Sequence, residues 1–358
     1  QLGFQRHVRQ PLTVGGDRQH IHRSVGHTRV IEPRHHDDPL VALDRRPGGG
    51  VDGIALLERA DQQQPDVVGP QSRAEHTHQV LDAAWQAGVR YFDAARSYGR
   101  AEQFLSSWLA ARNIDPNAVT VGSKWGYTYT AHWQVEAEHH EIKEHSLPVM
   151  RRQWVETQSH LGAHLDLYQI HSATLDSGVL ENTAVLAELA RLKRDGVAIG
   201  LSLSGADQSL VLARALTVEV DGKRLFDTVQ ATWNLLEPSA GPALHDAHAT
   251  DLGVIVKEAL ANGRLSPRNT DPRFAPSRAL LQAQARRLDT TIDALALAAV
   301  LAQPWAGVVL SGAATVAHLQ SNLAALDINW DAEAASQLAA LAEPAAAYWA
   351  TRSQLAWN

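Results

Sequence analysis

Residues 86–100 read Gln86-Ala87-Gly88-Val89-Arg90-Tyr91-Phe92-Asp93-Ala94-Ala95-Arg96-Ser97-Tyr98-Gly99-Arg100. The stretch before them, residues 74–87, carries Val80, Leu81 and Ala84 at helical spacing, and Gly88 is the residue type that most easily ends a helix. Val89 to Asp93 is short and rich in aromatic and β-branched residues, which predicts a strand. That strand ends on a carboxylate and opens into a polar loop. A helix, a glycine, an apolar strand and a charged end form one unit, and the unit recurs.

Working outward, a helix over 101–111 precedes a strand over 119–124, and a helix over 147–162 precedes a strand over 165–171. A helix over 179–194, stopped by Asp195-Gly196, leads into a strand over 197–202; a helix over 208–216 precedes a strand over 228–233. A helix over 240–249 precedes a strand over 253–257, and two helices near 278–288 and 292–302 precede a last strand over 308–311, followed by a helix over 316–326. Apolar strands alternating with amphipathic helices predict a parallel sheet covered by helices. Seven such units follow residue 73, nearly the eight of a closed (β/α)8 TIM barrel. The first strand must then come from the irregular segment before Arg73, at Val67-Val68 or within Gly53-Ile54-Ala55-Leu56-Leu57. An open doubly wound sheet is the alternative, but no strand is followed by a G-x-G-x-x-G fingerprint.

Composition agrees with an ordinary globular protein. The 358 residues are 45% hydrophobic and 20% charged, enough to build a large core. The absence of cysteine excludes disulfides, thiolate nucleophiles, Fe–S clusters and cysteine-bound zinc. A formal net charge of -7 gives no attraction to nucleic acid or anionic lipid. The longest apolar stretch, residues 294–302, is far short of the ~20 needed to span a bilayer, and no secretory leader is visible, so a cytoplasmic protein without membrane contact is expected. Residues 1–72 form an irregular segment crowded with Arg, His, Asp and Gly, while 73–358 form the barrel domain. The chain starts at Gln1 and its only methionine is Met150, so this terminus is not expected to be a translation start.

In a barrel, residues at the carboxyl ends of strands converge on one mouth. Asp93, Lys124 and His171 each end an apolar run where a packing residue would otherwise stand, and Tyr98 follows Asp93 by five positions. Taken singly, Asp93 reads as a helix cap, Lys124 as a solvated cation, His171 as a rim residue and Tyr98 as a loop aromatic. Together they make a proton relay. A free phenol, with a pKa of about 10, is a poor acid near neutrality, and an adjacent ammonium favours its phenolate. Lys124 is the candidate ammonium, Asp93 its anchor, and His171 a donor able to fix a carbonyl oxygen.

With these residues in view, Val89 to Leu326 resembles the aldo-keto reductases, whose signature is an Asp, Tyr, Lys, His tetrad on a (β/α)8 barrel. The matching stretches are residues 91–99, Gly122-Ser123-Lys124-Trp125-Gly126, residues 166–171, and Ser311-Gly312-Ala313-Ala314-Thr315 with Leu319 and Asn322. The resemblance implies reduction of a small aldehyde or ketone by NADPH, with Tyr98 protonating the oxygen and no metal.

It also implies cofactor contacts from Ser202 and Gln230 to the carboxamide, and from Leu260 and Gly263 around a pyrophosphate cradle. Gly312, Ala313, Thr315 and Asn322 match the adenosine-phosphate loop, whose helix aims N–H groups at phosphate. Four positions depart from the family. Leu203 stands for the usual asparagine, Lys257 for the aromatic that stacks on nicotinamide, with Trp233 as a substitute, and Ala314 and His318 stand where an arginine clamps the 2′-phosphate. Arg264 and Arg268 are within reach of that phosphate, and NADP(H) is expected over NAD(H). The competing functions are an NAD(P)-dependent aldose dehydrogenase of the same family, a nucleotide-binding regulatory subunit, and a metal-dependent hydrolase.

Other signals carry less. His139-His140-Glu141 with His145 misses the i, i+4 spacing of H-E-x-x-H and reads as a solvated loop. His20-Ile21-His22 and His76-Thr77-His78 do not end strands. Trp125, Tyr127, Tyr129 and Trp133 are expected in a mouth loop, lining an apolar substrate pocket or packing on the barrel.

Overall fold

The computed structural model describes residues 54–55, 70–130 and 141–355. The apolar runs become eight strands of one sheet: β1 (Ile54–Ala55), β2 (Tyr91–Asp93), β3 (Thr120–Trp125), β4 (Leu165–Ala173), β5 (Ala198–Leu203), β6 (Thr228–Thr232), β7 (Gly253–Lys257) and β8 (Val308–Leu310). Every pairing in the sheet is parallel, each strand from β2 to β8 lies beside its successor, and β1 pairs with β8. The two ends of the sheet, β1 and β2, touch. The architecture is a (β/α)8 barrel. Its first strand falls within the Gly53–Leu57 alternative, with Ile54 opposite Val309 and Ala55 opposite Leu310.

Helices α1 (Pro70–Gln86), α2 (Ala101–Ala111), α3 (Leu147–Leu161), α4 (Thr183–Arg194), α5 (Gln208–Leu216) and α6 (Gly241–His248) alternate with the strands. In α4 the buried residues Val185, Leu186, Leu189, Ala190 and Leu192 form one apolar stripe against the sheet, as an amphipathic period requires. After β7 come α7 (Ala275–Arg287), α8 (Ile292–Leu301), α9 (Val316–Leu323), α10 (Ala332–Leu338) and α11 (Ala345–Ser353), with β8 between α8 and α9. Helix α8 is apolar all round and buried from Ile292 to Val300, because α7 and α9 flank it and β8 lies beneath. Among the described residues no helix is long and apolar enough to cross a membrane.

Several local expectations change. The helix expected over 179–194 is a 3-10 turn, Val179–Glu181, followed by α4. Asn182 breaks the run because its side chain accepts the Val185 N–H at 3.2 Å, an N-cap rather than an interior position. The expected mouth loop after Lys124 is partly strand: Trp125 ends β3, fully buried, and Tyr127–Tyr129 pairs antiparallel with Glu141–Lys143. A second hairpin, Glu219–Val220 with Lys223–Arg224, turns at Asp221-Gly222, both in left-handed backbone at φ 53° and 70°. That Asp-Gly pair is a hairpin signal in plain sight.

Candidate active site

Asp93 lies on the barrel axis and is almost fully buried. Its Oδ2 holds the Lys124 ammonium from the adjacent strand β3. Its Oδ1 accepts from the Tyr91 hydroxyl at 3.1 Å, Gln169 Nε2 at 3.3 Å and Gln230 Nε2 at 3.2 Å, so residues of β2, β3, β4 and β6 converge on one carboxylate. Burial, with the Asp93 charge second, raises the Tyr91 hydroxyl well above the ordinary tyrosine range, so it stays a donor. Gly122 leaves room for this cluster: a Cβ there would stand 2.5 Å from the Tyr91 hydroxyl and 3.3 Å from Asp93 Oδ1.

Lys124 also donates to the Ala94 carbonyl at 3.0 Å and lies 4.9 Å from the centroid of the Tyr98 ring. The tetrad expected from strand ends is therefore assembled: ammonium between carboxylate and phenol ring, with the phenol ring edge-on to His171, centroids 5.5 Å apart. Ser97 Oγ approaches His171 Nδ1 at 3.5 Å, and Tyr127 packs on the other side of the imidazole at 4.8 Å. Tyr127 thus lines the mouth, whereas Trp125 points into the core and packs edge-on with His145.

The loop carrying Tyr98 is pinned by residues the sequence reading passed over. Glu102, at the start of α2, is 1% exposed. Its Oε2 pairs with Arg96, and its Oε1 accepts from Ser123 Oγ at 2.6 Å and Thr157 Oγ1 at 2.8 Å. Arg96 continues to Glu156 at 2.9 Å, and its backbone N–H reaches the Lys124 carbonyl at 3.0 Å. A legible signal existed: Glu102, Leu105 and Leu109 share one helix face at i, i+3, i+7, so the acid sits in an apolar stripe.

The solvated-loop reading of His145 is overturned. The residue is buried, and its Nε2 donates to the His171 carbonyl at 2.9 Å. Gly126, at φ 113°, admits the ring, since a Cβ would come within 2.3 Å of it. Burial lowers the His145 pKa from 6.5 to about 4, against the opposing pull of that hydrogen bond, so the ring is neutral near pH 7. His139, His140, Trp133 and His20-Ile21-His22 lie outside the described residues. Among the described residues no group of three or more His, Asp or Glu could hold a metal ion. His76 and His78 lie on α1, and His76 Nε2 bonds the Ala314 carbonyl at 2.9 Å.

On the far side of the mouth, Ser202 is buried near the end of β5 and its Oγ accepts the Ser172 N–H at 2.8 Å, leaving the hydroxyl hydrogen to donate. Ser172, directly after His171, is in left-handed backbone at φ 53°. After β7, Glu258, Ala261, Asn262 and Gly263 all have positive φ, 56°, 49°, 53° and 86°. The turn closes on itself, with the Ala261 N–H bonded to the Glu258 carbonyl at 2.8 Å and the Gly263 N–H to the Leu260 carbonyl at 3.0 Å. In the β8 loop, Gly312 is left-handed at φ 62° and Ala313 is buried. Thr315 caps α9 by accepting the His318 N–H at 3.1 Å. Asn322 donates to the Ser311 carbonyl and hydroxyl at 3.0 and 2.8 Å, fixing the end of β8. The Ser202 hydroxyl and the N-terminus of α9 supply donors of the kind a dinucleotide needs.

Two positions differ from expectation. Arg264 is held bidentate by Glu343, so it is not extended toward a phosphate. Trp233 packs edge-on against Trp305 at 5.7 Å. Arg268 is near enough to His318 that, after burial, its charge lowers the imidazole pKa.

The chain is similar to known proteins in sequence and in fold. An aldo-keto reductase of Strobilurus tenacellus, str7, is 24% identical over 285 residues, 74% of this chain and 80% of that protein. The holo form of the Bacillus halodurans aldo-keto reductase AKR11C1 superposes with a TM-score of 0.64 at 19% identity, covering 85% of this chain and 97% of its own. PA4992 of Pseudomonas aeruginosa, assigned to the aldo-keto reductases, superposes at 0.57 with 24% identity over 81% and 98%. At these identities the two superpositions speak for the fold. The sequence profile of the Aldo/keto reductase family matches residues 63–343, most of the chain. The chain belongs to the aldo/keto reductase family, and is by that membership an oxidoreductase acting on carbonyl compounds.

Proposed function

We propose that the protein reduces small aldehydes or ketones to alcohols with NADPH, using Tyr98 as the proton donor. One observation carries this reading: the Lys124 ammonium lies between the Asp93 carboxylate and the ring of Tyr98. When bound, the dinucleotide supplies the hydride that reaches the carbonyl carbon. His171, fixed through its carbonyl by His145 and through its ring by Tyr98 and Tyr127, donates to the carbonyl oxygen and orients it. Tyr98 passes its phenolic proton to that oxygen as negative charge develops there. The phenolate left behind is stabilised by the Lys124 ammonium, which Asp93 anchors and aims. Solvent then returns a proton to Tyr98.

Ser202 and Gln230 hold the carboxamide, the turn after β7 with Leu260 and Gly263 lies along the pyrophosphate, and the β8 loop with Gly312, Ala313, Thr315 and Asn322 receives the adenosine phosphate. Arg268 and His318 favour the 2′-phosphorylated dinucleotide. The test is consumption of NADPH, followed by its absorbance, with short aliphatic and aromatic aldehydes and ketones, beside NADP+ reduction with aldoses. Turnover only in the second assay assigns the chain to aldose oxidation. Turnover in neither removes the reading.

A further inference from the structure

Lys257 ends β7, and its Nζ donates to Thr232 Oγ1 on β6 at 2.8 Å. Gln230, two residues earlier on β6, reaches Asp93 across the barrel axis. Residues two apart on a strand share a face, so Thr232 and the ammonium lie on that interior side, about 7 Å nearer the mouth. Glu258 Oε1 is 3.7 Å from this ammonium but also accepts from Arg352 Nε and Nη2 at 3.0 and 2.6 Å. One carboxylate is therefore divided between two cations. Trp349 of α11 covers the ammonium at 5.7 Å, and the Lys257 side chain is 9% exposed. A fixed positive charge thus stands in the mouth above the tetrad.

Any hydride carrier must bring its reacting ring into this mouth, within contact of a carbonyl whose oxygen Tyr98 reaches. The nicotinamide ring is neutral when reduced and cationic when oxidised. We propose that Lys257 makes this site discriminate between the two redox forms of the dinucleotide, holding the reduced form and weakening the oxidised one. The inference rests on the function proposed above. Like charges several ångströms apart in a partly dry cleft repel by enough to shift binding about tenfold.

The test is a titration of the full chain with NADPH and with NADP+, read by tryptophan fluorescence, which needs no turnover. Both forms carry the same phosphates, so the ratio of their Kd values isolates the ring charge. The wild-type chain should bind NADPH about tenfold more tightly than NADP+. Lys257→Met and Lys257→Gln, the latter keeping a donor for Thr232, should bring the ratio close to that of an uncharged site, while Lys257→Arg should preserve it. An unchanged ratio in both neutral variants, with both forms still bound, overturns the role of Lys257 and leaves the proposed function standing. Failure of the wild type to bind either form overturns both.

Discussion

The ring of Tyr98 meets the imidazole of His171 edge-on, with planes at 84° and centroids 5.5 Å apart. One ring comes from the loop after β2 and the other from β4, and their contact sets the corner at which a carbonyl oxygen can touch both. On the other side of Tyr98 is Lys124, itself held by Asp93. The proposed proton donor is therefore in contact with both residues.

Removing only the phenolic proton isolates its role. Tyr98→Phe should lower kcat for carbonyl reduction by roughly 10²–10⁴-fold, the usual worth of a positioned general acid. NADPH affinity should change by less than about twofold, since the ring and its contacts remain. Steady-state kinetics beside a fluorescence titration check this; retained kcat would remove Tyr98 from the chemistry.

Arg96 and Glu102 bracket Tyr98 in sequence and tie its loop to α2, β3 and α3. Arg96→Met strands a buried carboxylate and should cost about 3 kcal/mol in urea unfolding, with a fall in kcat greater than any rise in KM. Adding Glu102→Met should recover part of the stability without restoring kcat. If the double variant were the less stable, the pairing would not be the dominant contact.

His145 makes stability depend on pH. Its folded pKa of about 4 lies below the ordinary 6.5, so between these values the unfolded chain binds the proton more readily. Its contribution is complete above pH 6.5 and is lost as pH falls toward 4, up to roughly 3 kcal/mol. Thermal midpoints measured across that window should fall in the wild type and fall less in His145→Gln. Parallel curves would show that other groups carry the acid sensitivity.

For the dinucleotide phosphate, Arg268→Ala should weaken NADPH binding about tenfold and leave NADH nearly unchanged, because only the former carries the 2′-phosphate. Calorimetric titration with both cofactors reads the ratio, and equal losses would place Arg268 elsewhere.

Gly122→Ala probes the floor of the site. The added methyl would collide with the Tyr91 hydroxyl and crowd Asp93. A destabilisation of about 1–3 kcal/mol and a drop in kcat are expected, since the hydrogen bonds that orient Asp93 must shift. Wild-type values for both would mean that Tyr91 moves aside at no cost.

The barrel was legible because its strands are apolar runs that break period with their flanking helices, and Asp93, Lys124 and His171 were legible because each interrupts such a run. Glu102 and His145 were missed for a common reason. Each is buried by contacts with residues distant in sequence, Ser123 and Thr157 in one case and the His171 carbonyl in the other, and no local pattern encodes those partners. Asn182 was lost inside a helical pattern because its capping role depends on backbone geometry rather than hydrophobicity. The interplay of Lys257, Glu258 and Arg352 joins β7 to α11, a segment whose place over the mouth only the folded chain reveals.

Asp93 draws hydrogen bonds from its own strand and three others, like a rivet through the barrel's axis. The same oxygen atoms that aim the ammonium toward the phenol thereby help to keep the cylinder round. Substitutions that alter the substrate are consequently better placed outward, on the hairpin beyond Tyr127, than among the side chains that hold Asp93. Specificity in this protein can drift while its chemical step stays frozen.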